Sequence, residues 1–218
     1  MIKNTFFLLL FVLCCQSKIF SQANLEIGFL PKVVFAHKLN SKTKWINSLE
    51  TRQIIYDKNF QFIHNLIDFS SIYSVKTSSN QSFNFGYILR FRRAETIHRT
   101  FQHYNFVNQF STYKLGHRLA LEQFYQSKKQ TTYRTRYRLS VEKPLQGERV
   151  DVKEFYLKLG NEYLYDFTDL EIRCTPYLGY QVSKKDKIEF GFDYRAGNLF
   201  QKETDKTLWF RTTWYISI

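Results

Sequence analysis

The chain has 218 residues, of which 18% are aromatic, and it contains only 3 Pro and 8 Gly. So few breakers exclude a collagen-like or linker-rich chain, and the 22 Phe and 15 Tyr favour strands over helices. A formal charge of +13 leaves nucleic acid, an anionic membrane surface or small anions as partners.

The first residues predict export. Lys3 precedes an apolar run over residues 6–15, and a short polar segment then ends at Ser21. This order is typical of a secretory signal peptide, and the run is shorter than the ~20 apolar residues of a membrane-spanning helix. We assign residues 1–21 to the signal peptide and 22–218 to the mature domain, with cleavage after Ala23 as an alternative. Export argues against a nucleic-acid partner.

The cysteines add little chemistry. Cys14 and Cys15 belong to the signal peptide, although acylation of one of them in a lipoprotein is an alternative. Cys174 is then the one cysteine of the predicted mature domain, so we expect no internal disulfide. The 5 His are spread along the chain and no glycine-rich phosphate loop is present. We therefore expect no metal and no cofactor.

The mature chain shows apolar and polar residues in strict alternation, which is the period of β-strands. In chain order the predicted strands cover 25–39, 45–56, 60–75, 83–92, 97–110, 115–125, 133–142, 152–165, 170–182, 188–195 and 208–218. In the stretch TTYRTRYRLSVEKP, Arg134, Arg136 and Arg138 occupy one face while Tyr and Leu occupy the other. Each segment is long enough for one crossing of a bilayer by a tilted strand.

The strand count and two prolines raise specific expectations. Single-chain bacterial barrels have an even number of strands, so we expect ten or twelve antiparallel strands. The eleven segments above would fit if Pro31 broke the first one into two short strands. Pro176 lies inside another segment, where we expect a bulge. The short turns NSKT, TSSN and SKKD are expected at one end and the longer AGNLFQKETDK at the other.

Alternation alone does not say which face is buried. A soluble barrel has apolar residues inside, whereas a membrane barrel has them outside. The signal peptide, the long strands and aromatic residues near the strand ends favour the membrane. These residues are Trp45, Tyr73, Tyr125, Tyr163, Tyr194 and Trp214. The last segment alternates up to Ile218, as do the terminal strands that outer-membrane assembly machinery binds. His117, Gln123 and Asn161 are polar exceptions on the apolar face.

The charged face is then the candidate functional region. We expect these residues to line the interior: Glu50, Arg52, Arg90, Arg92, Arg118, Glu122, Arg134, Arg136, Arg138, Glu162, Arg173, Glu189 and Arg211. Pairs of opposite sign on one strand are expected to neutralise each other, namely Arg118 with Glu122, Glu50 with Arg52, Lys158 with Glu162, Glu171 with Arg173 and Asp193 with Arg195. The interior is either a narrow, porin-like conduit that prefers anions, or it is filled by side chains. The second alternative gives a structural or receptor-like barrel.

From Ile97 onward the chain resembles the domain-of-unknown-function 2490 family. The stretches that carry the resemblance are IHRTFQHYNF, GHRLALEQFYQ, YRTRYRLSVEKPL, LKLGNEYLYDF, LGYQV and KIEFGFDYR. The matching residues are His98, Arg99, Gln102, His117, Arg118, Glu122, Arg134, Arg136, Arg138, Asn161 and Glu162. Ile97, Ala120 and Phe124 stand where family members often have charged residues. Members of this family are expected to be outer-membrane barrels of Gram-negative bacteria, mostly Bacteroidota. The resemblance therefore implies the fold and the location of this chain, and it implies no activity.

Taken together, these features predict an all-β transmembrane barrel without enzymatic activity in the bacterial outer membrane. The expected partners are outer-membrane lipid, the assembly machinery through the last strand, and small anionic solutes. A lipid-modifying enzyme is an alternative, with His117 on the apolar face as its most suggestive residue; no Ser lies beside it on that strand face. A soluble periplasmic barrel that binds a ligand is a second alternative.

Overall fold

The computed structural model describes residues 25–93 and 95–218, so the predicted signal peptide and its two cysteines lie outside the described residues. The described chain is all β. The strands are β1 (Leu25–Lys38), β2 (Thr43–Asp57), β3 (Asn59–Lys76), β4 (Gln81–Arg92), β5 (Glu95–Gln109), β6 (Lys114–Gln126), β7 (Thr132–Pro144), β8 (Phe155–Tyr165), β9 (Leu170–Gln181), β10 (Asp186–Gly197) and β11 (Asp205–Ser217).

The strands form one closed barrel in which each strand pairs with its neighbours in sequence. The predicted all-β barrel of ten to twelve strands is confirmed. The expectation of an even number is wrong, and so is that of fully antiparallel pairing. Because alternate strands reverse direction, an odd count leaves the first and last strands running the same way. β1 and β11 therefore close the barrel as a parallel pair, with Phe29 opposite Phe210.

Neither proline has the predicted effect. β1 runs through Pro31 without a break, so the idea of two short strands is wrong. Pairing between β9 and β10 passes from Tyr177 opposite Gly191 to Cys174 opposite Tyr194 in an unchanged register. Pro176 therefore interrupts the ladder but causes no bulge there. Pro lacks an N–H donor, and the ladder loses pairs at this point without a shift of the strands.

The two ends of the barrel differ. We call the end where β1 begins the N end; it carries the connections 166–169 and 198–204. The opposite end, where β11 finishes, is the C end, and it carries 39–42, 77–80, 110–113, 145–154 and 182–185. The three short turns expected to share an end do lie together at the C end, and the segment AGNLFQKETDK lies at the N end.

The distribution of side chains is the reverse of that in a soluble globular protein. Along the strands the outward positions carry exposed apolar residues, including Phe85 and Leu119 at 51% exposure each. The inward positions carry buried charges, including Glu122 at 2%. Leu30, Ile54 and Trp209 form a small apolar cluster among them. Among the described residues there is no helix with the length and apolarity needed to cross a membrane.

Candidate functional site

The inner face of the barrel is the candidate functional site. Strand alternation places all the residues predicted to line the interior on this face: Glu50, Arg52, Arg90, Arg92, Arg118, Glu122, Arg134, Arg136, Arg138, Glu162, Arg173, Glu189 and Arg211. Most are buried or half-buried there. Arg92 is the exception, because it ends β4 at the N end and is exposed.

One network of charges is centred on Glu122 of β6. Its carboxylate is 2.6 Å from Arg134 Nη2 and 3.0 Å from Arg136 Nη2, both on β7. Arg99 on β5 lies 3.9 Å away on the other side. Three guanidinium groups thus converge on one buried carboxylate. Such contacts compensate for the loss of hydration that burial imposes on each ion.

Arg136 joins this network to a second carboxylate. Its Nη1 is 3.4 Å from Glu162 of β8, which also lies 3.4 Å from Arg138 and 4.0 Å from Arg173. Arg173 in turn pairs with Glu171 on its own strand. A continuous chain of alternating charges therefore runs along the inner face from β5 to β9.

A separate network covers the seam where the barrel closes. Glu50 of β2 pairs with Arg52 at 2.8 Å and with Lys32 at 3.4 Å. Arg211 of β11 lies 3.7 Å from Glu50 and 3.2 Å from Asp193 of β10, which also binds Arg195. Arg211 therefore links carboxylates on opposite sides of the parallel β1–β11 pair.

Two smaller groups complete the interior. Arg90 makes a two-pronged contact with Asp68, with N···O distances of 2.7 and 2.6 Å. Glu189 accepts hydrogen bonds from Lys158 at 2.8 Å and from the hydroxyls of Tyr156 at 2.9 Å and Tyr215 at 3.1 Å. Paired geometry of this kind is the arrangement that makes charged hydrogen bonds strong.

The expected pairs within single strands are partly wrong. Residues two apart on a strand lie about 6.6 Å apart, and the pairs Glu50–Arg52, Glu171–Arg173 and Asp193–Arg195 do form. Residues four apart lie about 13 Å apart, beyond the reach of a salt bridge. Accordingly Arg118 does not pair with Glu122. Lys158 pairs with Glu189, two strands away, instead of Glu162.

Four charged members of these networks were absent from both the predicted interior set and the predicted pairs, namely Lys32, Asp68, Arg99 and Lys187. Each lies on the inward parity of its strand. They could have been predicted by applying the alternation rule to every charged residue of each strand. Once one residue of a strand is assigned to the inner face, every second residue along that strand faces inward as well.

A cavity of about 320 Å³ opens at the N end. Five Arg and five carboxylates line it, so its charges balance. One of them, Asp166, lies in the turn after β8. Partial burial acts to raise the pKa of this carboxyl, but hydrogen bonds from Thr168 and from the backbone N–H groups of Thr168 and Asp169 outweigh burial and lower it. Asp166 is thus a negatively charged part of the rim.

The C end has a different character. A cavity of about 220 Å³ is lined by Asn105, Val107, Gly116, His117, Arg118, Arg138, Ser140 and Lys158. Three of these residues are cationic at neutral pH and none is acidic. A second cavity at this end, of about 280 Å³, is lined by three lysines and again by no acid.

Of the three polar exceptions on the outer face, Gln123 and His117 have polar partners, whereas the buried Oδ1 of Asn161 has no hydrogen-bond partner among the described residues. Gln123 exchanges hydrogen bonds with Gln102 and accepts one from Thr100 at 2.7 Å. His117 is 2.8 Å from the Tyr137 hydroxyl and stacks on Phe106. These contacts satisfy polar groups without water. The partners of His117 are thus a tyrosine hydroxyl and a phenylalanine ring. In a hydrolase triad the histidine contacts a nucleophile and an acid that orients it.

Of three comparisons with known proteins, one found a match. The model of a family described as protein of unknown function (DUF2490) matches residues 28–206. The chain belongs to this family. Searches of curated proteins and of solved structures gave no match for it. Family membership therefore brings no activity to the chain, and the function has to be argued from the barrel itself.

Proposed function

We propose that this DUF2490 member is an outer-membrane barrel whose interior is filled by ion pairs, with a structural or receptor-like role and no enzymatic activity. In this proposal the apolar outer face contacts lipid. The charged networks fill the interior and hold the strands together from inside, so that no wide aqueous channel runs between the two ends.

The observation that carries the proposal is the burial of the interior carboxylates. Glu189 and Asp193 are each 1% exposed and Glu122 is 2% exposed. If a wide water-filled channel ran through the barrel, carboxylates on its wall would be hydrated and exposed. Here they are covered by cationic and aromatic side chains from neighbouring strands. A barrel of this size can be filled by its own side chains.

The apolar outer face supports the proposal that lipid surrounds the barrel. Exposed apolar side chains occur on strands all around the barrel, including Phe29, Leu49, Phe69, Phe85, Leu119, Leu157, Phe190 and Phe210. A soluble protein rarely exposes so continuous an apolar surface, because each side chain would be stabilised by leaving water. Of the predicted aromatic girdle, Trp45, Tyr73, Tyr125, Tyr163, Tyr194 and Trp214 are all exposed, as side chains at a membrane interface are.

Planar-bilayer recording of the folded protein tests whether the interior is closed. We expect no single-channel steps at neutral pH, while a general-diffusion porin inserted under the same conditions gives steps and serves as the positive control. Insertion is checked separately by protease protection of protein in vesicles. Regular steps that prefer anions would reject the filled interior and favour the narrow conduit, for which the excess of cations at the C end is the supporting observation.

A gel experiment tests the membrane assignment independently. Folded membrane barrels stay compact in detergent on an unheated gel and move differently after boiling. We expect a heat-dependent shift, and we expect the protein to precipitate when detergent is removed. A mature chain that stays monomeric and folded without detergent would overturn the proposed location, whatever the conductance result.

A further inference from the structure

We propose that the cavity at the C end is a binding site for a phosphate group, held chiefly by Arg118 and Arg138. The inference rests on the charged interior of the proposed function and adds a ligand class and a place to it. Its starting point is an imbalance: the N-end cavity has as many carboxylates as arginines, whereas this cavity has cations and no carboxylate.

The two arginines stand directly opposite each other on β6 and β7. Residues opposite each other on antiparallel strands have Cα atoms about 5 Å apart, so two like charges share one small region of the inner face. Like charges placed this way repel and destabilise the pair of strands. A bound anion between them would convert this repulsion into two attractive contacts.

Within the described part of the chain, Arg118 lacks the carboxylate partner that the other buried or half-buried arginines of the inner face have. Its Nε donates a hydrogen bond to Asn105 Oδ1 at 2.8 Å, and among the described residues no acid lies within salt-bridge distance of it. Asn105 therefore orients the guanidinium without neutralising it. The remaining N–H donors of Arg118 are available to a ligand in the cavity.

Arg138 is only loosely compensated. Its contact with Glu162 is 3.4 Å long, and Glu162 is shared with Arg136 and Arg173. The Arg138 guanidinium lies over Gly160, where an added Cβ would be 3.3 Å from Nη2. The missing side chain at Gly160 leaves room for the guanidinium on the inner face, close to the cavity.

The remaining lining residues suit an oxyanion. Ser140 supplies a hydroxyl and Lys158 a third positive charge, although Lys158 is also bound to Glu189. Two guanidinium groups, each with several N–H donors in a plane, match the tetrahedral oxygens of a phosphate better than a monatomic anion. The group could be inorganic phosphate or the headgroup of a phospholipid, because both present the same oxygens.

Titration calorimetry of the detergent-folded full-length mature protein with inorganic phosphate at low ionic strength tests the site. We expect saturable binding by the wild type and a loss of affinity of about tenfold or more in Arg118→Gln, as for removal of a charged hydrogen-bond donor. The matched control is Arg92→Gln, an exposed arginine of the balanced N-end cavity. We expect it to bind phosphate as the wild type does.

The folded state of each variant is checked by its heat-dependent gel shift, which separates loss of the site from loss of the barrel. Arg118→Gln relieves a repulsion, so we expect it to fold; Arg138→Gln provides the same comparison if it does not. Absence of saturable phosphate binding by the folded wild type would overturn the phosphate site and leave the proposed function standing. Phosphate affinity equal to that of the wild type in folded Arg118→Gln and folded Arg138→Gln would do the same.

A second titration identifies the source of the phosphate group. Dihexanoyl phosphatidic acid, used below its micelle concentration, presents the same oxygens on a short-chain lipid. Binding about tenfold or more tighter than inorganic phosphate, lost in Arg118→Gln, assigns the site to a lipid headgroup. Equal or weaker binding assigns it to free phosphate.

Discussion

Tyr156 on β8 and Glu189 on β10 are joined across the intervening strand by a hydrogen bond of 2.9 Å. The residue between them on β9 is Gly179, which pairs with Tyr156 on one side and with Glu189 on the other. The tyrosine ring lies over this glycine, at the place that a side chain would occupy. The absence of a side chain thus allows one strand to stabilise a charge two strands away.

The substitution Gly179→Ala should destabilise the barrel. The added methyl group would collide with the Tyr156 ring and push its hydroxyl away from Glu189. Overpacking of this kind costs about 1–3 kcal/mol. The matched control is Gly197→Ala, also in a strand, where the nearest atom to the new methyl would be 3.8 Å away. Urea midpoints read from the gel shift should fall for the first variant and stay constant for the second; equal midpoints would contradict the packing of Tyr156.

Much of the fold could be predicted because alternation is a local signal. Side chains of a strand alternate between its two faces, so each of Arg134, Arg136 and Arg138 independently indicates which positions of the strand point inward. The predicted segments lie within a few residues of the observed strands for the same reason. The largest errors are of three residues each: β8 begins at Phe155 where the prediction begins at 152, and β11 begins at Asp205 where the prediction begins at 208.

Closure and charge pairing could not be predicted in the same way. Pairing of β1 with β11 depends on the number of strands in the closed barrel. The expectation of an even number led us to split the first strand at Pro31, which is wrong. Lys158 of β8 binds Glu189 of β10 because the pairing of β8, β9 and β10 aligns Tyr156 with Glu189, two residues from Lys158 on the inner face. This register involves three strands and is absent from any single strand, so the sequence pattern favoured Glu162 for Lys158 instead.

Replacement of Glu122 by Gln should be among the most damaging single changes in the interior. The substitution keeps the shape of the side chain but leaves Arg99, Arg134 and Arg136 without their shared carboxylate. Loss of one partner of a buried ion pair costs about 3–5 kcal/mol. We expect a clearly lower urea midpoint for unfolding, measured from the heat-dependent gel shift in detergent.

The control for this change is Glu95→Gln, which also removes one carboxylate. Glu95 pairs with Lys129 at 3.0 Å, but both side chains are well exposed, at 37% and 59%. Exposed pairs contribute about 0–1 kcal/mol, so the midpoint should hardly move. Similar losses in both variants would mean that net charge, rather than the buried network, governs stability.

The parallel seam predicts a specific cross-link. Phe29 and Phe210 face each other across β1 and β11, with ring centroids 5.8 Å apart. In a Cys174→Ser background, Phe29→Cys with Phe210→Cys should form a disulfide under mild oxidation, seen as altered mobility on a non-reducing gel. Phe29→Cys with Phe192→Cys is the control, because Phe192 lies one strand further away, about 10 Å from Phe29. A cross-link in the control but not in the test pair would place a different strand beside β1.

A charge on the outer face should separate a lipid-facing surface from one that faces water. Leu119 lies within β6 and is 51% exposed; Leu145 is 52% exposed but lies in the connection after β7. If lipid surrounds the strands, Leu119→Lys should cost up to about 2–4 kcal/mol near the centre of the bilayer, whereas Leu145→Lys should cost little. Folding yields into lipid vesicles, read from the gel shift, measure the difference. Equal yields for the two variants would mean that water, rather than lipid, contacts Leu119, because only lipid distinguishes two leucines of the same exposure.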